Sequence, residues 1–374
     1  MNYTQSHTEL KSVFSPESDQ INISWSGVKI NNVRFQTGFT AGDFLHIQDH
    51  LITENSSFSY PVFSPPSKSK KVILLLHGLN ERSWGKYLAW AHWLSENTSS
   101  YVILFPISFH INRSPESWKD PRIMLQVAKT RNTEIRKNEM SSFANVALSN
   151  RLTEDPMRFF NSGQQTASDL IHLLKTIRIG VHEIIPPGCR LDIFAYSIGA
   201  FLAEILMLSD PENLFSDSRL FIFCGGSVFS NMNGRSKLIM DTYAFNKVYN
   251  FYLNDFENRI KEKGRIAEFL RSTQIGMAFR SMIDRSRFRS FRESRFRKLR
   301  DQIRCIILAG DTVIPPDGVV ATLSETRSAQ TVKIMDFPFA YTHENPFPVL
   351  GFSDSKNVDR TFETIFEEAG LFFA

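Results

Sequence analysis

The stretch LDIFAYSIGAFLAEIL, residues 191–206, connects a run of apolar residues to a helical pattern through a single serine, Ser197. Ala195 lies two residues before this serine and Gly199 lies two residues after it. A sharp turn from a strand into a helix requires small residues at both positions, because larger side chains would collide with the neighbouring strand and helix. The chain contains no second Gly/Ala-x-Ser-x-Gly match. The stretch therefore predicts a strand, a tight turn that exposes the Ser197 hydroxyl, and a helix.

Short apolar runs recur on both sides of this stretch, and segments with helical spacing lie between them. The runs are rich in Val, Ile, Leu and Phe, which is typical of strands that a parallel sheet buries on both faces. Helical spacing over 83–97 and 167–180 supplies intervening helices. We therefore predict an α/β fold with a mostly parallel central sheet flanked by helices. The apolar runs are residues 71–77, 101–106, 190–196, 219–226, 304–310 and 331–337.

Two connections between these runs, 107–161 and 227–302, are too long to be simple turns. Connections above roughly 15 residues without strands are usually functional insertions or lids. The second has a largely helical pattern, so we predict a helical cap over the carboxyl edge of the sheet. Residues 28–62 are expected to supply antiparallel edge strands. The predicted organisation is an N-terminal extension with edge strands (1–62), a first core part (63–228), a helical cap insertion (229–302) and a second core part (303–374).

The stretch FAYSIGA, residues 194–200, resembles the nucleophile elbow of the α/β-hydrolase superfamily, to which serine esterases and lipases belong. The usual elbow reads Gly-x-Ser-x-Gly, and Ala195 replaces the first glycine here, which is a sterically mild departure. The resemblance covers roughly residues 60–374 and is interrupted by the two insertions, which resemble no particular family. It implies the α/β-hydrolase fold, with a catalytic serine, acid and histidine in that order along the chain.

A serine is a weak nucleophile by itself, so this interpretation requires a base and an acid that orients the base. His343 is the only one of the nine histidines that follows Ser197, and it comes just after the last predicted strand. Asp311 directly follows an apolar run, in a segment that resembles the Gly-Asp-x-Val-x-Pro pattern of hydrolase acid loops. Asp241 and Asp317 stay open as alternative acids, although neither directly follows a strand. Ser197, Asp311 and His343 are the predicted catalytic residues.

The segment LLLHGLNE, residues 74–81, ends the first buried run and is the expected oxyanion loop. Negative charge that develops on a substrate oxygen requires preorganised N–H donors. By the resemblance, these donors would be the backbone amides of Leu79 and Ile198. Gly78 permits close approach of the backbone, and His77 would be structural. The segment lacks the His-Gly-Gly-Gly form of one esterase branch, so that branch is not favoured.

The segment FPISFHINRSP, residues 105–115, leaves another predicted strand at the same edge of the sheet. His110 and Arg113 within it are therefore candidate substrate contacts. An ordinary surface loop is an equally weighted alternative for this segment.

Three cofactor motifs fail on individual residues. A phosphate-binding loop is excluded because six residues separate Gly78 from Gly85 where four are required, and Tyr87 replaces the metal-binding Ser or Thr. A zinc-protease helix at His182 is excluded because Pro186 stands in place of the second histidine. No GxGxxG follows a predicted strand. We expect neither a metal ion nor another cofactor.

Residues 280–304 carry nine Arg and one Lys against three acidic residues. An apolar stripe at helical spacing predicts a helix that buries the stripe and presents its arginines to solvent. A solvated cap helix is the favoured interpretation, and the alternatives are contact with an anionic substrate, an anionic membrane surface or nucleic acid. Nucleic acid is disfavoured because no recognised binding motif accompanies the charge. The stripe consists of Phe288, Phe291, Phe296 and Leu299.

Cys189, Cys224 and Cys305 form no CxxC pair, which disfavours both a disulfide framework and a thiolate zinc site. The first ten residues are polar, and no stretch approaches the roughly 18 uninterrupted apolar residues of a membrane span. These features favour a cytoplasmic location.

The chemistry at the predicted strand ends favours a serine hydrolase that cleaves a carboxylic ester or related acyl bond of a small molecule. Carboxylesterases, lipase-like esterases, thioesterases and small peptidases share this apparatus, and the predicted triad does not separate them. The alternative from another class is a non-catalytic hydrolase-like protein that binds an anionic partner or a membrane surface through its basic cap helix. Occupation of every predicted catalytic position favours the enzyme.

Overall fold

The computed structural model describes residues 1–39, 45–323, 331–349 and 354–374. Within these ranges, one sheet of nine strands runs through the protein. The strands are β1 (Gln20–Asn22), β2 (Lys29–Gln36), β3 (Ser57–Ser64), β4 (Lys71–Leu76), β5 (Tyr101–Leu104), β6 (Arg190–Tyr196), β7 (Leu220–Phe223), β8 (Ile303–Leu308) and β9 (Val332–Met335). Their order across the sheet is β1-β2-β3-β5-β4-β6-β7-β8-β9.

Strands β4 to β9 pair in parallel, whereas β1, β2 and β3 form an antiparallel extension that joins β5. Each of the six predicted apolar runs overlaps one of the parallel strands, and only β8 begins outside its run, by one residue. At the centre, β4 and β6 are in register from the pair Lys71 and Arg190 to the pair Leu76 and Ala195. The predicted α/β fold with a mostly parallel sheet is confirmed, and so are the antiparallel strands expected within residues 28–62.

Strand β9 departs from the expectation that all six runs are buried on both faces. Lys333 and Ile334 are exposed, and Ile334 retains 52 % of its accessible surface. Among the described residues, β9 pairs only with β8 and therefore forms the edge of the sheet. An edge strand is covered on fewer sides, so an apolar sequence there does not lead to burial.

Thirteen α-helices occur in the described ranges, and they cover both faces of the sheet. Leu170 and Ile205 lie in the core on one face, and Trp90 and Phe366 lie in the core on the other. Within the described part of the chain, we find no helix with both the length and the apolar character needed to cross a membrane. The helices are α1 (Tyr3–Val13), α2 (Gly85–Thr98), α3 (Pro121–Glu134), α4 (Val146–Glu154), α5 (Met157–Arg178), α6 (Ile198–Ser209), α7 (Thr242–Asn250), α8 (Phe256–Arg259), α9 (Arg265–Ser272), α10 (Gln274–Ser281), α11 (Arg289–Lys298), α12 (Pro316–Leu323) and α13 (Ser355–Phe373).

The N-terminal helix α1, to which the sequence assigned no role, packs against α2 and α13. Its Tyr3 ring stacks on the Phe362 ring of α13, with a distance of 4.1 Å between the ring centroids. A capping box begins the helix, since the Asn2 side chain accepts from the Gln5 amide and the Gln5 side chain accepts from the Asn2 amide. The first residues of the chain therefore contribute to the core on this face of the sheet.

The two long connections are helical and contact each other. Residues 107–161 contain α3, α4 and the start of α5, and residues 227–302 contain α7 to α11. Arg131 of α3 donates to both carboxylate oxygens of Asp241, at 2.5 and 3.0 Å, and both side chains are buried. Helices α4 and α7 also pack on each other. The two connections therefore support one another.

Helix α6 starts directly after β6 and lies very close to β4 at its first turn. A Cβ atom added to Gly199 would lie 2.6 Å from the carbonyl oxygen of Leu76 and 2.8 Å from that of His77. These oxygens belong to the backbone, so they cannot move aside as a flexible side chain would. Glycine is the residue that lets the helix begin this close to the neighbouring strand.

Replacement of Gly199 by alanine should lower the free energy of unfolding by about 1 to 3 kcal/mol, because the added methyl group overpacks this contact. The matched control is Gly163→Ala in α5, where an added Cβ would have no atom within 4 Å. That substitution should raise the free energy of unfolding by about 0.5 to 1 kcal/mol, since alanine is the better helix former. Urea denaturation measures both changes, and equal signs for the two variants would contradict the packing argument.

Glu204 lies within α6 and is completely buried. Neither of its carboxyl oxygens has a hydrogen-bond partner among the described residues. Burial without a compensating charge raises the pKa of Glu204 well above its ordinary value of 4.5. The folded protein therefore holds this proton to a higher pH than the unfolded chain, which releases it near the ordinary pKa of 4.5.

Wild-type protein should lose stability relative to a Glu204→Met variant as the pH rises above the ordinary glutamate pKa of 4.5, because the unfolded state ionises Glu204 at a lower pH than the folded state does. Denaturant unfolding at several pH values measures the difference between the two proteins. Glu367→Met serves as the control, since Glu367 is exposed on α13. Parallel pH profiles for the wild type and the Glu204→Met variant would show that Glu204 does not hold its proton.

Candidate active site

Ser197 occupies the turn between β6 and α6, with φ 56° and ψ −122°. A positive φ is unfavourable for a residue with a side chain and is typical of strained positions at functional sites. The Ser197 amide donates to the carbonyl oxygen of Phe223 on β7, at 3.3 Å. The sheet therefore holds the serine in this conformation from one side, while the close contact of Gly199 with β4 holds the start of the helix.

The structure brings the three residues predicted as catalytic into one hydrogen-bonded row. The Ser197 Oγ lies 2.7 Å from the His343 Nε2, and the His343 Nδ1 lies 2.7 Å from the Asp311 Oδ2. All three side chains are buried, with at most 5 % of their surface exposed. Since a carboxylate only accepts, Nδ1 carries the ring proton, and Nε2 is free to accept the serine proton.

The Asp311 carboxylate is oriented by its own loop. Its Oδ1 accepts hydrogen bonds from the backbone amides of Val313 and Ile314, each at 2.9 Å, which leaves Oδ2 for His343. The two alternative acids lie elsewhere. Asp241 is paired with Arg131 and caps α7, whereas Asp317 is exposed in the first turn of α12.

Tyr196 positions the loop that carries His343, and the sequence analysis missed this role. Its ring stacks on the His343 ring with centroids 5.6 Å apart and planes inclined by 21°. Its hydroxyl donates to the carbonyl oxygen of His343. The position of Tyr196 directly before the predicted nucleophile was the only hint of this role in the sequence. The sequence does not show which neighbour the Tyr196 ring contacts.

His77 is neutral, and both of its ring nitrogens form hydrogen bonds with backbone groups. Its Nδ1 donates to the carbonyl oxygen of Gly78 at 2.8 Å, and its Nε2 accepts from the amide of Ile107 at 2.9 Å. Burial lowers the pKa of His77 to about 4, so the ring carries one proton at neutral pH. The ring therefore links the end of β4 to the segment that follows β5.

Further contacts brace this loop, and they involve side chains that the sequence did not point to. The Tyr87 hydroxyl accepts from the amide of Gly78 at 3.0 Å and donates to a Glu81 carboxylate oxygen at 2.6 Å. Lys86 pairs with the same carboxylate. A Cβ atom on Gly78 would lie 3.0 Å from the Tyr196 ring, so the loop also packs tightly against β6.

The backbone amide of Leu79 lies in the loop that follows β4, and the amide of Ile198 directly follows Ser197. Neither amide has a hydrogen-bond acceptor among the described residues, whereas the amides of Gly78 and Ser197 are both satisfied. The amide of Ile198 is at the N-terminus of α6, where the first N–H groups of a helix have no partner within the helix. These two donors are available to an oxygen atom of a ligand.

An apolar cavity of about 700 Å³, including its open mouth, begins beside these amides, with Leu79 and Ile198 in its wall. Helices α4, α5, α6 and α10 supply most of the rest of the wall, mainly through Leu, Ile and Phe side chains. Residues of the core and of both long connections therefore enclose it. His110, one of the two expected substrate contacts, also lines this cavity.

Arg113, the other expected contact, does not reach the cavity. It is completely buried and pairs with Asp169 at 2.8 Å. Its remaining N–H groups donate to Asn55 and to the carbonyl oxygen of Pro106, and the guanidinium lies over the Phe58 ring. Arg113 therefore joins the antiparallel edge of the sheet to α5, and its donors are not available to a ligand.

The basic segment 280–304 differs from the expected arrangement. Helix α11 begins only at Arg289, because Phe288 adopts a left-handed conformation with φ 47°. Phe296 is buried as expected, but Arg292 is buried too and donates to backbone carbonyl oxygens, among them that of Ser281. Part of the positive charge thus stabilises the carboxyl end of α10, since carbonyl groups at a helix end favour a cation.

The chain belongs to a family of unknown function, DUF6051, whose pattern matches residues 39–374. A comparison with curated proteins found no match. The strand order, the turn at Ser197 and the chain order Ser197, Asp311 and His343 are those of the α/β-hydrolase fold.

Several solved structures are similar to this chain. A mutant of the esterase rPPE in complex with (S)-Ac-CPA has 11 % identity and a TM-score of 0.48, over 100 % of this chain and 91 % of its own. Carboxyl esterase 2 from the mycorrhizal fungus Tuber melanosporum has 10 % identity and a TM-score of 0.47, over 99 % and 98 %. A thermostable carboxyl esterase from Bacillus coagulans has 13 % identity and a TM-score of 0.46, over 92 % and 99 %.

Replacement of Ser197 by glycine should relieve the strain at this turn. We expect the Ser197→Gly variant to be more stable than Ser197→Ala by about 1 to 2 kcal/mol, because glycine adopts a positive φ without steric conflict. The same pair of substitutions at Ser209, at the other end of α6, should have the opposite order, since alanine is favoured in a regular helix. Urea denaturation of the four variants measures both differences, and the same order at both positions would contradict strain at Ser197.

Proposed function

We propose that this protein is a serine hydrolase that cleaves a carboxylic ester or related acyl bond through an acyl-enzyme on Ser197. The observation that carries the proposal is the row of two 2.7 Å contacts from Ser197 through His343 to Asp311, at a strained turn that leads from strand to helix. A serine, an imidazole and a carboxylate in this geometry form the arrangement that activates a hydroxyl as a nucleophile.

In the proposed reaction, the Ser197 Oγ attacks the acyl carbonyl carbon while its proton passes to the His343 Nε2. The C–O bond to the leaving alcohol then breaks, and His343 returns the proton to that alcohol. Water attacks the acyl-enzyme, gives a proton to His343, and the carboxylic acid leaves as Ser197 regains its proton. Asp311 keeps the imidazole in the required tautomer and stabilises its charged form.

The amides of Leu79 and Ile198 are the proposed oxyanion hole. Two preorganised donors without internal partners suit an oxygen that gains negative charge during attack, and the loss of one such donor typically costs about 100-fold to 1000-fold in turnover. The bracing of Gly78 by Tyr87 supports the Leu79 side of this hole.

The apolar cavity beside the site is the proposed acyl pocket. Ile275 and Phe279 of α10 lie in its wall, which supports a cap role for residues 229–302, with residues 63–228 and 303–374 as the core.

The basic segment 280–304 fits the alternative of a non-catalytic binding protein less well, because Arg280, Arg287 and Arg292 form hydrogen bonds within the protein. The three cysteines are unpaired, which supports a cytoplasmic location.

A fluorescent fluorophosphonate should label the wild-type protein, because this probe forms a covalent bond with an activated serine. Label should be lost in Ser197→Ala, which lacks the nucleophile, and in His343→Ala, which lacks the base. Gel fluorescence measures the label, and hydrolysis of a p-nitrophenyl ester should fall by about 10³-fold or more in the same two variants.

Ser209→Ala is the matched control for labelling, since Ser209 is a buried serine on the same helix and bonds only to backbone carbonyl oxygens. It should keep both label and activity. Circular dichroism verifies that each variant is folded. A folded wild-type protein without label would refute the proposal and favour the binding protein, whereas a labelled Ser197→Ala variant would refute the assignment of the nucleophile.

A further inference from the structure

His110 and Gln164 line the apolar cavity, and each carries one buried polar atom that is unpaired. These atoms are the Nε2 of His110 and the Oε1 of Gln164, and neither has a hydrogen-bond partner among the described residues. His110 retains 5 % of its accessible surface and Gln164 retains 8 %, so both side chains are more than nine-tenths buried. Buried polar atoms are nearly always hydrogen-bonded, and unpaired ones require an explanation such as a ligand.

The protonation of His110 follows from its other ring nitrogen. The Nδ1 lies 2.9 Å from the carbonyl oxygen of Ser108, and because a carbonyl oxygen only accepts, Nδ1 carries the proton. Burial and the neighbouring His77 ring lower the pKa of His110 to about 3, so the ring is neutral near pH 7. Its Nε2 therefore presents a lone pair, as does the Oε1 of Gln164. Both unpaired atoms are acceptors.

The cavity suits a donor without charge. Its described lining contains no acidic side chain, so an ammonium group there would lie unpaired in an apolar space, which is costly. Ser162 supplies the one hydroxyl group in the described lining, and it already donates to the carbonyl oxygen of Arg158 at 2.7 Å. Hydroxyl and amide N–H groups provide a donor without such a charge.

We propose that the acyl group held in this cavity bears an uncharged hydrogen-bond donor, a hydroxyl or an amide N–H, that binds to His110 and Gln164. The inference rests on the proposed function, which places the acyl group beside Ser197. The apolar wall binds the hydrocarbon part of the acyl group, and the two acceptors select for the donor. The substrates are then hydroxyacyl or acylaminoacyl esters in preference to plain alkanoyl esters.

Selectivity of this kind is large when a site contains polar groups that a wrong substrate leaves unpaired. The hydrogen bonds of a neutral donor to buried acceptors are worth roughly 5-fold to 100-fold in kcat/KM. Gln164 is the more specific reporter, because His110 also borders a smaller cavity of about 370 Å³ near Glu81 and Arg151.

The test compares p-nitrophenyl esters of hexanoate, β-hydroxyhexanoate, ω-hydroxyhexanoate and N-acetylated norleucine. Wild-type protein should prefer at least one donor-bearing ester by about 5-fold or more in kcat/KM, and the two kinds of donor are separated by which ester is preferred. Gln164→Met and His110→Phe should remove most of this preference, which is measured within each variant as the ratio of kcat/KM for the donor-bearing ester to kcat/KM for the hexanoate ester. Leu148→Met, an apolar change in the same wall, should alter the rates for all esters together.

Binding to the Ser197→Ala protein, measured by calorimetry with the corresponding methyl esters, separates this proposal from the proposed function. A donor-bearing ester should bind more tightly than the hexanoate ester, and Gln164→Met should abolish this difference. That result would support the proposal even if the wild type hydrolysed no ester. Absence of hydrolysis would overturn only the proposed function. Two outcomes would overturn the proposal. One is that hexanoate and donor-bearing esters are hydrolysed and bound equally well, and the other is a preference that neither Gln164→Met nor His110→Phe changes. Either outcome would mean that the two acceptors bind water.

Discussion

The positive φ of Ser197 is the constraint on which the rest of the site depends. It turns the chain from β6 directly into α6, and it leaves the serine side chain at the end of the central strands. This turn is possible only because Gly199 lets the first helical turn approach the carbonyl oxygens of Leu76 and His77. The energy stored in the turn is offset by the large buried core on both faces of the sheet.

Two tyrosines hold the loops near Ser197 that follow the ends of the parallel strands. Tyr196 stacks on the ring of His343 and packs against Gly78, so it contacts both the loop that carries His343 and the loop that follows β4. Tyr87 fixes the amide of Gly78 from the other side. Because parallel strands end at one edge of the sheet, groups that are far apart in sequence are carried to the same place. The site therefore has little freedom to rearrange without disturbing the core.

The two long helical connections, 107–161 and 227–302, add further helices to the sheet and the helices that cover its two faces. The segment after β5 and the segment after β7 are tied together by Arg131 and Asp241, and both contribute to the cavity beside Ser197. The cavity is apolar except for a few side chains, and the unpaired nitrogen of His110 stands out among them. The insertions and the core thus shape the cavity together, while the turn at Ser197 and the row of contacts that it makes are properties of the core.

The sequence by itself determined the α/β class, the strand that ends at Ser197, and the positions of Asp311 and His343 just after strands, because these features depend on local apolar patterns and small residues at a turn. It did not determine which partners individual polar side chains bind in the folded protein. Arg113 was a candidate substrate contact but is paired with Asp169, and Arg292 was expected in solvent but binds carbonyl groups. Only the tertiary structure decided these cases, because the partner of a buried charge lies far away in sequence and its distance depends on how the helices pack.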